Sequence, residues 1–319
     1  MADIRTVACA GGGLIGSSWA TLFSKEGYPV RIYDRSEEQL AKSRELIATN
    51  FAILEENGIV DAATITAATG RISYHTDLAQ ALDGVDLIQE NIGENLERKQ
   101  ALLAEIDAVN TTATYASSSS SIMISLISQH SAHQERCVGG HPFNPPHIMP
   151  LVEITKTART DPERVAAVYA FYKALGREPI ILQKEVTGFI GNRLQFVYTR
   201  EAVDLVMRGV CTVEDIDKAS LFGLGLRYGV IGLNLNGDLN GGENGIRDYY
   251  GKLGPAMNDI LHDAAKWEEF PEEYGTTVGP EGIEKAKAAR PKEQGNTREE
   301  ILAYRDRMLI ALLKLHGKL

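Results

Sequence analysis

Short apolar runs and longer amphipathic stretches alternate along the first part of the chain. Runs at 4–10, 30–33, 71–75, 85–89, 112–116, 137–140 and 179–183 have the length and composition of buried strands. Between them, 17–26, 37–57 and 96–109 carry apolar residues at helical spacing, such as Leu40, Ile47, Phe51 and Leu54 in the second stretch. This order predicts an α/β domain with a doubly wound, mostly parallel sheet. The polar segment Lys184-Glu185-Val186-Thr187-Gly188 closes the pattern. Beyond it, Phe189, Ile190, Leu194, Val197, Ala202, Leu205 and Val206 mark a long helix apolar enough to be the centre of a bundle. A helix over 212–219 and an amphipathic one over 298–315 follow, and the intervening 234–245, rich in Asn, Asp and Gly, reads as a mobile lid or turn cluster. The expected division is a sheet domain over 1–187 and an all-α domain over 188–319.

Between the first strand and the first helix lies Gly11-Gly12-Gly13-Leu14-Ile15-Gly16. A GxGxxG motif is a weak signal alone, but this setting is the one it requires. Gly11 permits the tight turn, Gly13 the approach of a pyrophosphate and Gly16 close helix–strand packing, with the anion on the helix N-terminus. The second strand runs into Asp34, the expected place for a carboxylate that holds the adenosine ribose and repels a 2′-phosphate. These features predict a Rossmann-type domain that binds NAD, with Arg35 the one neighbour pulling toward NADP. A glycine turn without a nucleotide would leave the same pattern.

Three later stretches fall where strands end, the edge at which open α/β sheets bind ligands. After 85–89 come Glu94 and Lys99, which line the nicotinamide end or serve as a cap and a solvated helix charge. After 112–116 come five serines, 117–121. They are not a linker, because a buried-helix pattern at Ile122, Ile124, Leu126 and Ile127 follows without a break. After 137–140 comes His141-Pro142-Phe143-Asn144-Pro145-Pro146, and Glu153 follows within the apolar run Leu151, Val152, Ile154. Two strands joined through these prolines would bring a carboxylate beside an imidazole, giving a general base with an orienting partner. A loop histidine and an unrelated edge-strand glutamate fit the same residues.

Composition narrows the class. With 319 residues the chain has the mass for two domains, and its net charge of −10 argues against a nucleic-acid or anionic-membrane partner, since either selects a basic face. Cys9, Cys137 and Cys211 are far apart, so neither a disulfide framework nor a zinc site is expected, and no metal is called for. No secretory pattern or membrane-length apolar run is visible, and a cytoplasmic enzyme is the expectation.

The ordered set GGGLIG, Asp34, ENIGEN with Lys99, ASSSSSIMIS, GGHPFNPP, LVEIT and GFIGNRL resembles the L-3-hydroxyacyl-CoA dehydrogenase superfamily over roughly residues 4–250. The serine run, HPFNPP, QKEVTGFIGNRLQ and GLGLRYGVIG look most like its lambda-crystallin/L-gulonate 3-dehydrogenase branch. The resemblance implies that His141 removes the proton of a 3-hydroxyl, that Glu153 pairs with it, and that Ser120 and Asn192 hold the substrate oxygen. It also implies NAD contacts at Gly11, Gly13, Gly16, Asp34, Glu94, Lys99 and Asn144, and a homodimer; Leu14, Ile15 and Arg35, beside these positions, are expected in the same cofactor site.

The departures concern the substrate. Ser118 and Ser119 stand where acyl-CoA-using members usually have Asn-Thr. Their Pro-Met-Gly-Pro segment is replaced by Gly225-Leu226-Arg227-Tyr228-Gly229-Val230-Ile231-Gly232, and their Gly-Phe-Tyr ending is absent. The leading expectation is therefore NAD-dependent oxidation of a small free hydroxy acid such as a sugar acid, with Arg227 suited to its carboxylate. A 3-hydroxyacyl-CoA substrate is the second reading, and a crystallin-like structural protein the third.

Overall fold

The structure is a computed structural model and describes residues 4–319. Eight strands form one sheet: β1 (Val7–Ala10), β2 (Val30–Tyr33), β3 (Ile72–His75), β4 (Leu87–Glu90), β5 (Thr114–Ser117), β6 (Cys137–Pro142), β7 (Leu151–Thr155) and β8 (Glu178–Ile181). Their order is β3-β2-β1-β4-β5-β6-β7-β8. Every neighbouring pair is parallel except β6 and β7, which run antiparallel. The strand order reverses between β1 and β4, so the crevice past their carboxyl ends, at Gly11 and Asn91, is the ligand-binding position of a doubly wound sheet.

β1, β4, β5 and β6 are buried along their whole length. Both faces are covered, as a parallel sheet requires. On one face Trp19 stacks on Phe23 and Tyr172, with ring centroids 5.1 and 5.4 Å apart. On the other, Tyr115, Ile88, Leu103 and Ile106 form a second core.

The helices after β2, β4 and β7 are each capped by a side chain, Ser36, Asn95 and Asp161, which accepts from a backbone N–H of the first turn. The helix after β1, Leu14–Lys25, is different. It begins at Gly13 with no side-chain cap, so its first N–H groups remain for an anion.

By compactness the chain forms two units, one ending at Arg193 and including Leu302–Leu319, the other Leu194–Ile301. In the first, Ile310 and Leu313 from the end of the last helix pack with Ile148. The second unit is helical, with Val213–Ala219 held by a capping box at Thr212 and Asp215, then Leu233–Asn240, Ile246–Asp263 and Gly279–Ala289. The expected lid at 234–245 is thus largely a helix. Gly237 lies against Ile246 and Tyr249, and Asp238 accepts from the Ile246 N–H, so its glycine and aspartate serve helix packing and capping. Among the described residues of this unit, the only buried apolar side chains are Val203, Val213 and Ala265, whereas Phe222, Val230 and Leu239 are about two-thirds exposed (68%, 67% and 68%).

Candidate active site

The glycine loop is built for close approach. Gly11 adopts φ +107°, a conformation suited to glycine, and a side chain on Gly16 would overlap the Gly11 carbonyl oxygen. Asp34 directly follows β2 and accepts the Gly12 N–H at 3.0 Å, while the Gln39 amide donates to the Gly12 carbonyl at 2.9 Å. A groove of about 460 Å³ runs past Gly11, Gly13, Asp34, Ser36 and Asn91. A neighbouring one of about 380 Å³ lies between Asp34, Arg35, Ile92, Arg98 and Leu102. Free N–H groups at the helix start, a carboxylate just past the second strand and a slot beyond it with Ile92 and Leu102 on its wall fit a dinucleotide of the NAD type. Arg35 turns aside to Glu105, 2.6 Å away, and is not aimed back at Asp34. Leu14 is exposed and Ile15 half-buried at the loop's rim.

Beneath this crevice lies a polar network that the sequence did not announce. Tyr172 donates to Gln89 at 2.6 Å, and Gln89 donates to Ser118 and to the Gly140 carbonyl. Ser118 in turn donates to Asn91 and accepts from the Trp19 indole. These hydrogen bonds link the serine loop and β6 to the glycine-loop helix through Gln89 and Ser118. A second network centres on Glu90, which has no solvent exposure and accepts from Lys99, Tyr115 and Ser117.

Lys99 is therefore not a solvated helix charge. It is 1% exposed, donates to Glu90 at 2.8 Å and to the Ile92 carbonyl at 3.1 Å, and lies 3.8 Å from Glu94. Glu94 does not cap the next helix, a place taken by Asn95. One of its oxygens instead gathers the hydroxyls of Ser119 and Ser121 and the N–H groups of Ser120 and Ser121. Burial pushes the Glu94 carboxyl up, but these serine donors and the Lys99 charge outweigh it and hold the group below the usual carboxylate range.

β6 and β7 pair so that His141 stands opposite Glu153. The imidazole Nδ1 lies 2.9 Å from Glu153 Oε2, with Glu153 fully buried and His141 nearly so. The other oxygen, Oε1, accepts the N–H groups of Ile190 and Gly191 at 2.9 and 3.0 Å. Burial alone would raise the Glu153 carboxyl, but the His141 hydrogen bond and the two backbone donors outweigh it and hold the group below the usual carboxylate range. An ionised carboxylate only accepts, so the proton of a neutral His141 is on Nδ1 and the lone pair is on Nε2. One residue past Gly191, the Asn192 amide donates to the Ser120 carbonyl at 3.0 Å. The structure thus joins His141, Glu153, Asn192 and Ser120 in one chain of contacts, leaving the Ser120 hydroxyl only a long 3.5 Å contact to Glu94.

The loop between His141 and Glu153 is braced separately. Ser18 accepts the His147 N–H and shares a 2.7 Å hydrogen bond with its Nδ1. Arg177, buried, donates to the carbonyls of Pro146, Ile148 and Met149. Desolvation lowers that guanidinium to about 10. Asn144 is exposed on this loop. Arg227 is exposed in the second unit, on the short helix Leu226–Tyr228.

Two family models match the chain. One, described as 3-hydroxyacyl-CoA dehydrogenase, NAD binding domain, covers residues 6–186. The other, 3-hydroxyacyl-CoA dehydrogenase, C-terminal domain, covers residues 188–279. An L-carnitine dehydrogenase from Streptomyces griseus subsp. griseus is 35% identical over 318 residues, spanning 99% of this chain and 91% of that protein. Lambda-crystallin from Oryctolagus cuniculus is 33% identical over 318 residues, spanning 97% and 95%. Among solved structures, FHMPC 5-dehydrogenase, titled an NAD+ dependent dismutase, has a TM-score of 0.81 at 29% identity and covers 98% of each chain.

Proposed function

The chain belongs to the 3-hydroxyacyl-CoA dehydrogenase family, and from that premise we propose that it oxidises, reversibly, the 3-hydroxyl of a small free hydroxy acid. It is a dehydrogenase that uses NAD. The observation that carries the reading is the His141–Glu153 pair, buried, in register and with Nε2 left as the free lone pair. His141 takes the hydroxyl proton at Nε2 as the carbinol hydrogen leaves carbon with the C–H bonding pair, as hydride, and the C=O forms. Bound NAD supplies the acceptor for that hydride. Glu153 stabilises the imidazolium that results. Ser120 and Asn192 hold the oxygen as it changes from hydroxyl to carbonyl. Asp34 holds the adenosine ribose, and its charge disfavours a 2′-phosphate.

The free-acid part of the reading is supported by relatives named for L-carnitine, itself a 3-hydroxy acid, over nearly the full chain. Arg227, in the segment where acyl-CoA enzymes differ, is the residue proposed to receive the carboxylate. The test is a substrate series: L-carnitine, L-gulonate and 3-hydroxybutyrate against 3-hydroxybutyryl-CoA. One of the free acids is expected to exceed the thioester at least about tenfold in kcat/KM. Arg227→Met should then raise its KM by roughly 10- to 100-fold, the worth of a charge-assisted pair, and leave a neutral ester unaffected. Preferential turnover of the thioester would put the acyl-CoA reading, favoured by the family models' own descriptions, in first place.

We also propose a homodimer formed through the second unit, and a cytoplasmic setting consistent with three free cysteines. Three buried apolar side chains cannot hold a helical unit of this size together, and its exposed leucine, valine and phenylalanine side chains form the kind of apolar surface that a partner covers. Light scattering at micromolar concentration is expected to give twice the chain mass, and a monomer there would refute the assembly. Among the described residues no helix is long and apolar enough to cross a membrane.

A further inference from the structure

Phe189 is the only non-glycine residue with positive φ among the described residues, at +50°. It follows Gly188 at φ +73°. A left-handed backbone is unfavourable for a residue with a Cβ and persists when the surroundings over-determine it, most often at functional sites. Phe189 is also 1% exposed, so the conformation is not a loose surface turn.

The conformation achieves two things at once. After two left-handed residues the chain turns so that consecutive N–H groups, those of Ile190 and Gly191, converge on Glu153 Oε1. Such a pair of N–H groups is a small anion-binding concavity, here at the start of the helix Gly191–Met207. The same turn lays the Phe189 ring on His141, with centroids 5.4 Å apart and planes tilted by 54°. Phe143 contributes a second ring at 5.7 Å. Gly191 completes the set, because a Cβ there would overlap the Phe143 ring.

We infer that Phe189 is a positioning residue for the His141–Glu153 pair: its left-handed turn aims two N–H groups at Glu153 while its ring fixes the imidazole from the side. This rests on His141 being the base. Glu153 on one side and the two aromatic rings on the others restrict rotation of the imidazole. Loss of the ring lets Nε2 move relative to the hydroxyl, and displacements of that order cost about 10²-fold in rate.

The test compares Phe189→Leu and Phe189→Ala in wild-type and Glu153→Gln backgrounds. For Phe189→Leu, kcat is expected to fall about tenfold, and for Phe189→Ala about 100-fold, with KM and the NAD dissociation constant within about twofold. In the Glu153→Gln background the same substitutions should cost less than about threefold, because the arrangement they support is already lost. Full kcat in Phe189→Leu with only a lowered melting temperature would overturn the proposal, as would equal losses in both backgrounds. Phe189→Met, unbranched and close in volume, repeats the measurement if the leucine variant does not fold. Should His141→Ala itself prove active, the base assignment fails first, and that outcome is separate from these.

Discussion

Replacing His141 with alanine or glutamine is expected to lower kcat by roughly 10²–10⁴-fold while NAD still binds. The reason is local. Glu153 and the two rings hold the imidazole with Nδ1 turned inward, so Nε2 is the atom left to accept a proton. The groove proposed to hold the cofactor is lined by other residues, Gly11, Gly13, Asp34 and Ser36 among them, and not by His141. Steady-state kinetics with the best substrate of the series, alongside a fluorescence titration of NAD, separates the two effects. Near-full kcat at neutral pH in either variant would refute the assignment. Glu153→Gln should lose less, because the imidazole remains.

The second large effect is on stability, and it comes from His147. Desolvation, followed by the charges of Arg177, Arg305 and Lys25, lowers its pKa to about 3. Its Nε2 is buried without a hydrogen-bond partner. In an unfolded chain a histidine takes up its proton near 6.5. Between those values the unfolded state binds a proton that the folded state refuses. The stability contributed by neutral His147 is therefore complete above about pH 6.5 and is lost as pH falls toward 3. At about pH 4 the loss amounts to roughly 3 kcal/mol, several degrees in melting temperature. Glu153 and Glu94, held below the usual carboxylate range, also lose their contribution in acid, but only as pH falls below about 4.5. Calorimetry from pH 7.5 to 4.5 should thus show a falling melting temperature in the wild type. His147→Asn, which can still meet Ser18, should show a much flatter profile. Parallel profiles for the two proteins would assign the acid sensitivity elsewhere.

Much of this was legible in the sequence, for reasons that differ by element. The strands of a doubly wound sheet are buried on both faces, so β1 appears as an unbroken run of small and apolar residues, and β2 and β4 as short runs interrupted at Arg31 and at Gln89-Glu90. The glycine loop was legible because backbone conformation and close approach leave few alternatives to glycine. The spacing of His141 and Glu153 fits a paired and an unrelated reading equally; the resemblance points to the pair, and the register of β6 and β7 sets the two residues opposite each other. What stayed hidden were side chains whose partners are distant in sequence. Gln89 and Glu90 sit in an ordinary strand, and nothing near them announces Tyr172 or Tyr115. Phe189 reads as one more apolar position of a helix, because neither its left-handed backbone nor its contact with the distant His141 is carried by the apolar pattern. The helix Leu233–Asn240 was misread for a related reason: its glycine and aspartate answer to Ile246 and Tyr249, a contact that composition cannot show.

The brace on the loop between β6 and β7 has an evolutionary corollary. Ser18 holds His147, Arg177 holds three carbonyls, and Ile148 sits in an apolar cluster with Ile310 and Leu313. Side chains in a strand alternate between faces, so a one-residue slip of β7 would carry Glu153 to the side of the sheet away from His141. With the loop anchored at so many points, an inserted or deleted residue has little slack in which to disappear. The count of residues from His141 to Glu153 is then a heritable quantity in its own right. Drift in this lineage can exchange letters in that interval far more readily than it can change the interval's length.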